Sequence, residues 1–169
     1  MITKIADIKQ LLAKARRSPV AAFPELRQFA ASDQWQTREV AATALVELSK
    51  IFPEVVLVEM KVWASDPNPN IRRAASEGLR GLVKRDPSGV RPILDRLKAD
   101  PSGYVQKSVA NVLRNASTKH ADFVLAVCRE WAQTGDPRTR LIITGGLRKV
   151  KLLRTQEAEA ILRLCSPSA

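Results

Sequence analysis

The stretch DPNPNIRRAASEGL, Asp66 to Leu79, decides the fold. An Asp-Pro pair opens it, a branched residue and two arginines follow, and small residues lead to a leucine. The same helical pattern returns as REVAATAL (Arg38 to Leu45), QKSVANVL (Gln106 to Leu113) and RLIITGGL (Arg140 to Leu147). Leu45, Leu79, Leu113 and Leu147 stand 34 residues apart in turn. A fixed period of this size marks stacked units, none of which buries its apolar face alone. The chain therefore reads as all-α, a right-handed α-solenoid whose function lies on the surface of the stack.

Working outward, every segment carries helical rather than alternating periodicity. A helix from Thr3 to Arg17 and a second to about Ala31, with a break at Pro24, form an N-terminal capping pair over 1–32. Four repeats follow at about 33–66, 67–100, 101–135 and 136–166, together one domain over 1–169. Asp66-Pro67, Asp100-Pro101 and Asp136-Pro137 open the first helix of successive repeats, with Asp as cap and Pro where no amide hydrogen is needed. The second helices keep register too: Val56, Val90 and Val124; Met60, Leu94 and Cys128; Trp63, Leu97 and Trp131. Such sets read as core between repeats. Trp35 reads as packing on the N-terminal pair, with stacking on a base as the alternative.

Composition narrows the function. Residues 1–69 hold 9 Lys/Arg against 8 Asp/Glu, whereas residues 70–169 hold 19 against 9. Nearly all of the net charge of +11 thus belongs to the later repeats. Charge segregated in this way points to a polyanion, with a generally basic, solvated surface as the plainer alternative. No apolar run is long enough to span a membrane. Cys128 and Cys165 are isolated and lack metal-ligand spacing, so a reduced, cytoplasmic protein without metal or cofactor is expected. His120 stands alone in a turn between helices, without nucleophile or ligand companions.

On the first helix of the second repeat, Arg73, Glu77, Arg80 and Lys84 lie opposite the apolar stripe. The matching face carries Lys107, Asn111, Arg114 and Asn115 in the third repeat, and Gly145 and Arg148 in the fourth. Arg80, Arg114 and Arg148 are one period apart; in stacked helices about 8–10 Å from each other they would match phosphate spacing. Arg72 and Arg140, with Gln106 between them, make a second row, and Lys149, Lys151 and Arg154 extend the field. Glu77, flanked by Arg73 and Arg80, reads either as an ordinary salt-bridged surface residue or as an anion kept for a cationic substrate. Gly145-Gly146 permits either close helix packing or close approach to a ligand.

The Asp-Pro, branched apolar, Arg and small-residue pattern resembles a HEAT repeat. A tetratricopeptide array would share the period, but its Trp, Gly-Tyr and Phe positions are absent. More specifically, WASDPNPNIRRAASEGL (Trp63 to Leu79), PILDRLKADPSGYVQKSVANVLR (Pro92 to Arg114) and DFVLAVCREW (Asp122 to Trp131) resemble the AlkC/AlkD-type DNA alkylation repair proteins, the AlkC branch above all. The resemblance implies a HEAT-like solenoid whose basic face holds duplex DNA, with no cofactor. It also implies hydrolysis of the N-glycosidic bond of N-alkylated purines, a carboxylate stabilising the cationic sugar. Glu77 is then the catalytic carboxylate, and a second family acid falls on Asn115. Gly81 to Arg85 (GLVKR) lacks the aromatic residue expected after the ASEG segment. The alternative use of such an array is a non-catalytic scaffold for nucleic acid or an acidic protein partner.

Overall fold

The computed structural model describes residues 4–165, with side chains described from Ile8 onward. Residues 1–3, including Thr3, where the first helix was expected to begin, and residues 166–169 lie outside the described residues. Among the described residues there are ten helices and no strand. They fall into two compact units, residues 1–82 and 83–169.

The first unit holds α1 (Lys4–Arg17), α2 (Pro19–Ala31), α3 (Trp35–Ile51), α4 (Pro53–Trp63) and α5 (Pro69–Leu82). Helix α3 is its centre, packing on α1, α2, α4 and α5. Leu45, Leu48, Val56, Met60, Trp63 and Leu79 are all buried here. Each such side chain contributes about 1.5–3 kcal/mol by leaving water. Phe23 meets Trp63 edge to face at 6.4 Å, and the Trp63 indole N–H donates to Glu59 Oε1 at 2.7 Å. Helix α2 runs unbroken through Pro24, against expectation. Proline forfeits only the bond to the carbonyl of Val20, and both residues are exposed, so water can serve that carbonyl.

The second unit holds α6 (Pro87–Leu97), α7 (Gly103–Ala116), α8 (Ala121–Ala132), α9 (Pro137–Val150) and α10 (Thr155–Leu164). Helix α7 lies along α9, while α8 packs on α9 and α10. Val90, Leu94, Leu97, Leu113, Val124, Cys128, Trp131 and Leu147 fill the interior, so the register sets are core as expected. The Trp131 indole N–H donates to Asp95 Oδ1 at 2.7 Å, and Arg91 bridges Asp95 and Glu130, each at 2.8 Å.

The 34-residue period is also written in hydrogen bonds. Ser32, Asp66 and Asp100 each accept from the backbone N–H two residues on, at 3.1, 2.8 and 2.9 Å. Six residues after each of them, a long side chain reaches back. Arg38 donates to the carbonyls of Ser32 and Asp33, Arg72 to those of Asp66 and Pro67, and Gln106 to that of Asp100. Asp66 and Asp100 thus close turns, and α5 and α7 begin two residues later than a cap at those positions would place them. Asp136 does cap α9, its carboxylate accepting from the Arg138 N–H at 2.9 Å. The Arg138 guanidinium on that carboxylate holds it below its ordinary range.

Candidate functional site

The residues singled out from sequence gather on α5 in the first unit and, in the second unit, mainly around a groove and a neighbouring pocket. In the first unit they lie on α5. Glu77 is 3% exposed, buried rather than set on an open polar face. Arg80, one turn on, donates to its Oε2 at 3.0 Å, and Arg73, one turn back, stands 3.6 Å from its Oε1. Arg73 also bonds Glu39 of α3 at 2.6 Å, a contact one full period long. Two carboxylates and two guanidinium groups therefore balance locally. Arg72, which the sequence places in a cationic row, is half-buried and clamps the turn before its own helix.

In the second unit, α7 and α9 enclose a groove of about 540 Å³. Lys107, Asn111 and Arg114 line it from α7, and Arg140, Gly145 and Arg148 from α9. No carboxylate lines it, and none of its four cations has an ion-pair partner among the described residues. Elsewhere in the unit, by contrast, Arg91, Arg138, Lys151 and Arg154 all hold carboxylates. Lys151 is thereby tied to Glu159 at 3.2 Å. Burial raises the Cys165 thiol, and the positive field of Arg140 opposes that rise.

The floor of the groove explains the paired glycines. A Cβ on Gly145 would sit 2.9 Å from the Cβ of Ala110, and one on Gly146 would sit 2.9 Å from Leu113 Cδ1. The glycines let α7 and α9 approach closely, and Gly145 also leaves the groove open. Leu141, 63% exposed, lines the same groove and was not foreseen; its period partners Arg73 and Lys107 are cations.

Beyond the groove, Lys84, Arg114, Asn115, Thr118, Lys119 and Lys149 surround a second pocket of about 460 Å³. Asn115 Nδ2 donates to the Asn111 carbonyl at 2.7 Å. His120 is the N-cap residue of α8, and its Nε2 lies 3.1 Å from the Lys84 carbonyl oxygen, a structural role. Ser117-Thr118 reads from sequence as a helix-end polar pair; Lys119 was missed, and the period relating it to Arg85 was the available signal. Trp35 is 58% exposed, so the expected packing on the N-terminal pair covers less than half of it. Among the described residues, no cluster of His, Cys, Asp or Glu is arranged to hold a metal, and no helix is long and apolar enough to cross a membrane.

Paired helices repeating every 34 residues, clamped turn by turn, define a helical-repeat protein. A family model of HEAT repeats matches residues 23–114. The alkylpurine DNA glycosylase AlkC of Pseudomonas fluorescens, solved bound to DNA containing an abasic site analogue, is similar at a TM-score of 0.76 and 27% identity. That match covers 92% of this chain and 44% of the AlkC chain. The uncharacterised protein YhaZ of Bacillus subtilis (strain 168) is 34% identical over 76% of this chain and 37% of its own length. The chain belongs to the HEAT-repeat family, in its AlkC/AlkD-type branch. It spans less than half the length of either relative.

Proposed function

We propose that the chain binds duplex DNA by its phosphates, as a HEAT-repeat protein of the DNA alkylation repair type. The observation that carries this reading is the α7/α9 groove, where Lys107, Arg114, Arg140 and Arg148 converge without a carboxylate among them. Unpaired cations along a groove attract a phosphate backbone and release its counterions, whereas paired ones do neither. The DNA held by the AlkC relative agrees with that chemistry.

Fluorescence anisotropy of a labelled duplex over a series of salt concentrations tests the reading. Each phosphate contact contributes about 0.9 to the slope of log K against log salt, so R114A/R148A flattens the slope by about 2. An unchanged slope, or a wild-type chain that ignores the duplex, overturns it. An acidic protein partner is the competing occupant, and displacement of that partner by duplex DNA separates the two.

Excision of N-alkylated purines is a second reading, resting on Glu77 as the carboxylate of the ASEG segment. Its carboxylate is buried and engaged by two arginines, so it has to exchange those partners to face a cationic sugar. Release of 3-methyladenine or 7-methylguanine from methylated duplex, lost in Glu77→Gln, establishes excision. A chain that binds the duplex but releases neither base leaves the binding function alone.

A further inference from the structure

The pocket ringed by Lys84, Arg114, Asn115, Thr118, Lys119 and Lys149 shares only Arg114 with the groove. Four cations face about 460 Å³ of open space, a volume within the roughly 300–1,000 Å³ range of small-ligand sites. No acidic residue lines it, and none of the four has an ion-pair partner among the described residues. Like charges gathered around one pocket repel one another, and an anion seated between them offsets the repulsion. Neutral donors stand beside them: the exposed Thr118 hydroxyl and the Asn115 amide.

The frame of the pocket is held in place. His120 fixes the Lys84 backbone by the bond from its Nε2–H to the Lys84 carbonyl, 3.1 Å long. Ser117, fully buried, donates its hydroxyl to the Leu113 carbonyl at 3.0 Å and secures the turn that presents Thr118 and Lys119. Arg114 and Asn115 stand on the last turn of α7, and Asn115 is anchored to Asn111. Cations at a helix C-terminus also oppose its negative dipole end, so they assemble there at reduced cost.

We infer that this pocket is a phosphate site, built to seat one phosphate group among Lys84, Arg114, Lys119 and Lys149. The phosphate is either a terminal monoester at a strand end or an internal diester of a backbone, and the inference deepens the DNA reading above. It also stands without it, because a phosphate site needs no duplex.

Inorganic phosphate is the probe. The wild-type chain is titrated with it at constant ionic strength while amide shifts of the 84 and 117–120 segments are followed. Saturable shifts there, absent around Leu141 and Thr144, are expected, with at least a tenfold loss of affinity in K119A/K149A. Linear, unsaturable shifts, or saturation unchanged in the variant, overturn the site. A matched pair of hairpin duplexes, 5′-phosphorylated and 5′-hydroxyl, then separates the sources. Tighter binding of the phosphorylated hairpin, erased in K119A/K149A, assigns a strand end. Equal binding of both, weakened equally by the variant, assigns an internal phosphate. If neither hairpin binds while inorganic phosphate still saturates, the duplex reading fails and the phosphate site remains.

Discussion

Gly145 of α9 faces Ala110 of α7 so closely that a Cβ on the glycine would lie 2.9 Å from the alanine Cβ. Neither atom can turn away, since both are fixed to helical backbone. Gly145→Ala therefore gains about 1 kcal/mol of helix propensity and loses about 1–3 kcal/mol by overpacking. The expected net result is destabilisation by about 1 kcal/mol, with more for Gly146→Ala against Leu113. Gly103→Ala, with nothing within 4 Å, is the control and leaves stability within about 0.5 kcal/mol. Urea denaturation of the three variants decides the matter. Equal behaviour of all three would mean that α7 and α9 do not depend on the close approach.

Arg72 and Arg148 look alike in the sequence, both on first helices of the basic half, yet they differ in what they hold. Arg72 donates to the carbonyls of Asp66 and Pro67; Arg148 lines the groove with no carboxylate. Arg72→Ala is expected to lower stability by about 1–3 kcal/mol and leave the salt slope of duplex binding unchanged. Arg148→Ala is expected to do the reverse, lowering the slope by about 0.9 with little change in melting. The same anisotropy and melting experiments read both. A salt slope that falls for Arg72→Ala would return that residue to the phosphate-facing set.

The contrast shows how much was legible beforehand. Helix positions and the core leucines followed from the period alone, because burial in a stack depends only on spacing. The groove residues Lys107, Arg114, Arg140 and Arg148 were legible for the same reason. The partners of a charged side chain were not. Glu77 looked like a surface residue because its neighbours are arginines, but Arg73 also reaches Glu39 one repeat earlier and draws the cluster inward. The clamp role of Arg72 was hidden likewise, since its acceptors are backbone carbonyls that no sequence displays. Lys119 escaped notice because the turn that presents it is placed by Ser117 and His120, two residues with no charge pattern of their own.

Gln106 occupies the clamp position held by Arg38 and Arg72 in the first unit. It reaches a single carbonyl, at 2.7 Å, and its Oε1 is buried without a hydrogen-bond partner. An unpaired buried acceptor costs about 1–3 kcal/mol. Gln106→Arg removes that acceptor and brings a guanidinium with several donors to the same turn. The expected outcome is a gain of about 1 kcal/mol in urea denaturation. A loss of stability would show that the second unit lacks room for the longer side chain.

Leu141 offers a gain-of-function test of the groove. It is exposed beside Arg140 and Arg148, at the position where the preceding repeat carries Lys107. Leu141→Lys adds a fifth unpaired cation to the same lining. Duplex affinity is expected to rise at low salt, and the slope of log K against log salt to steepen by about 0.9. Folding stability is expected to stay within about 0.5 kcal/mol, because the leucine is mostly solvated. An affinity unchanged or lowered would mean that DNA does not pass over this helix face.

The two thiols should separate in reactivity and in pH dependence. Burial raises Cys128 far above an ordinary thiol, and burial also raises the half-exposed Cys165. At pH 8 a thiol reagent is expected to label Cys165 first, with Cys128 following only at the rate at which the unit opens. In the unfolded chain Cys128 loses its proton near pH 8.5, while the folded chain keeps it. A thiol raised in the folded state contributes stability that is fully present below the unfolded value and is lost as pH rises above it. The difference in unfolding free energy between wild type and Cys128→Val is therefore expected to be constant up to about pH 8 and then to move against the wild type. Urea denaturation at pH 7, 8.5 and 10 measures it, and parallel profiles would show that Cys128 is not the buried thiol the packing describes.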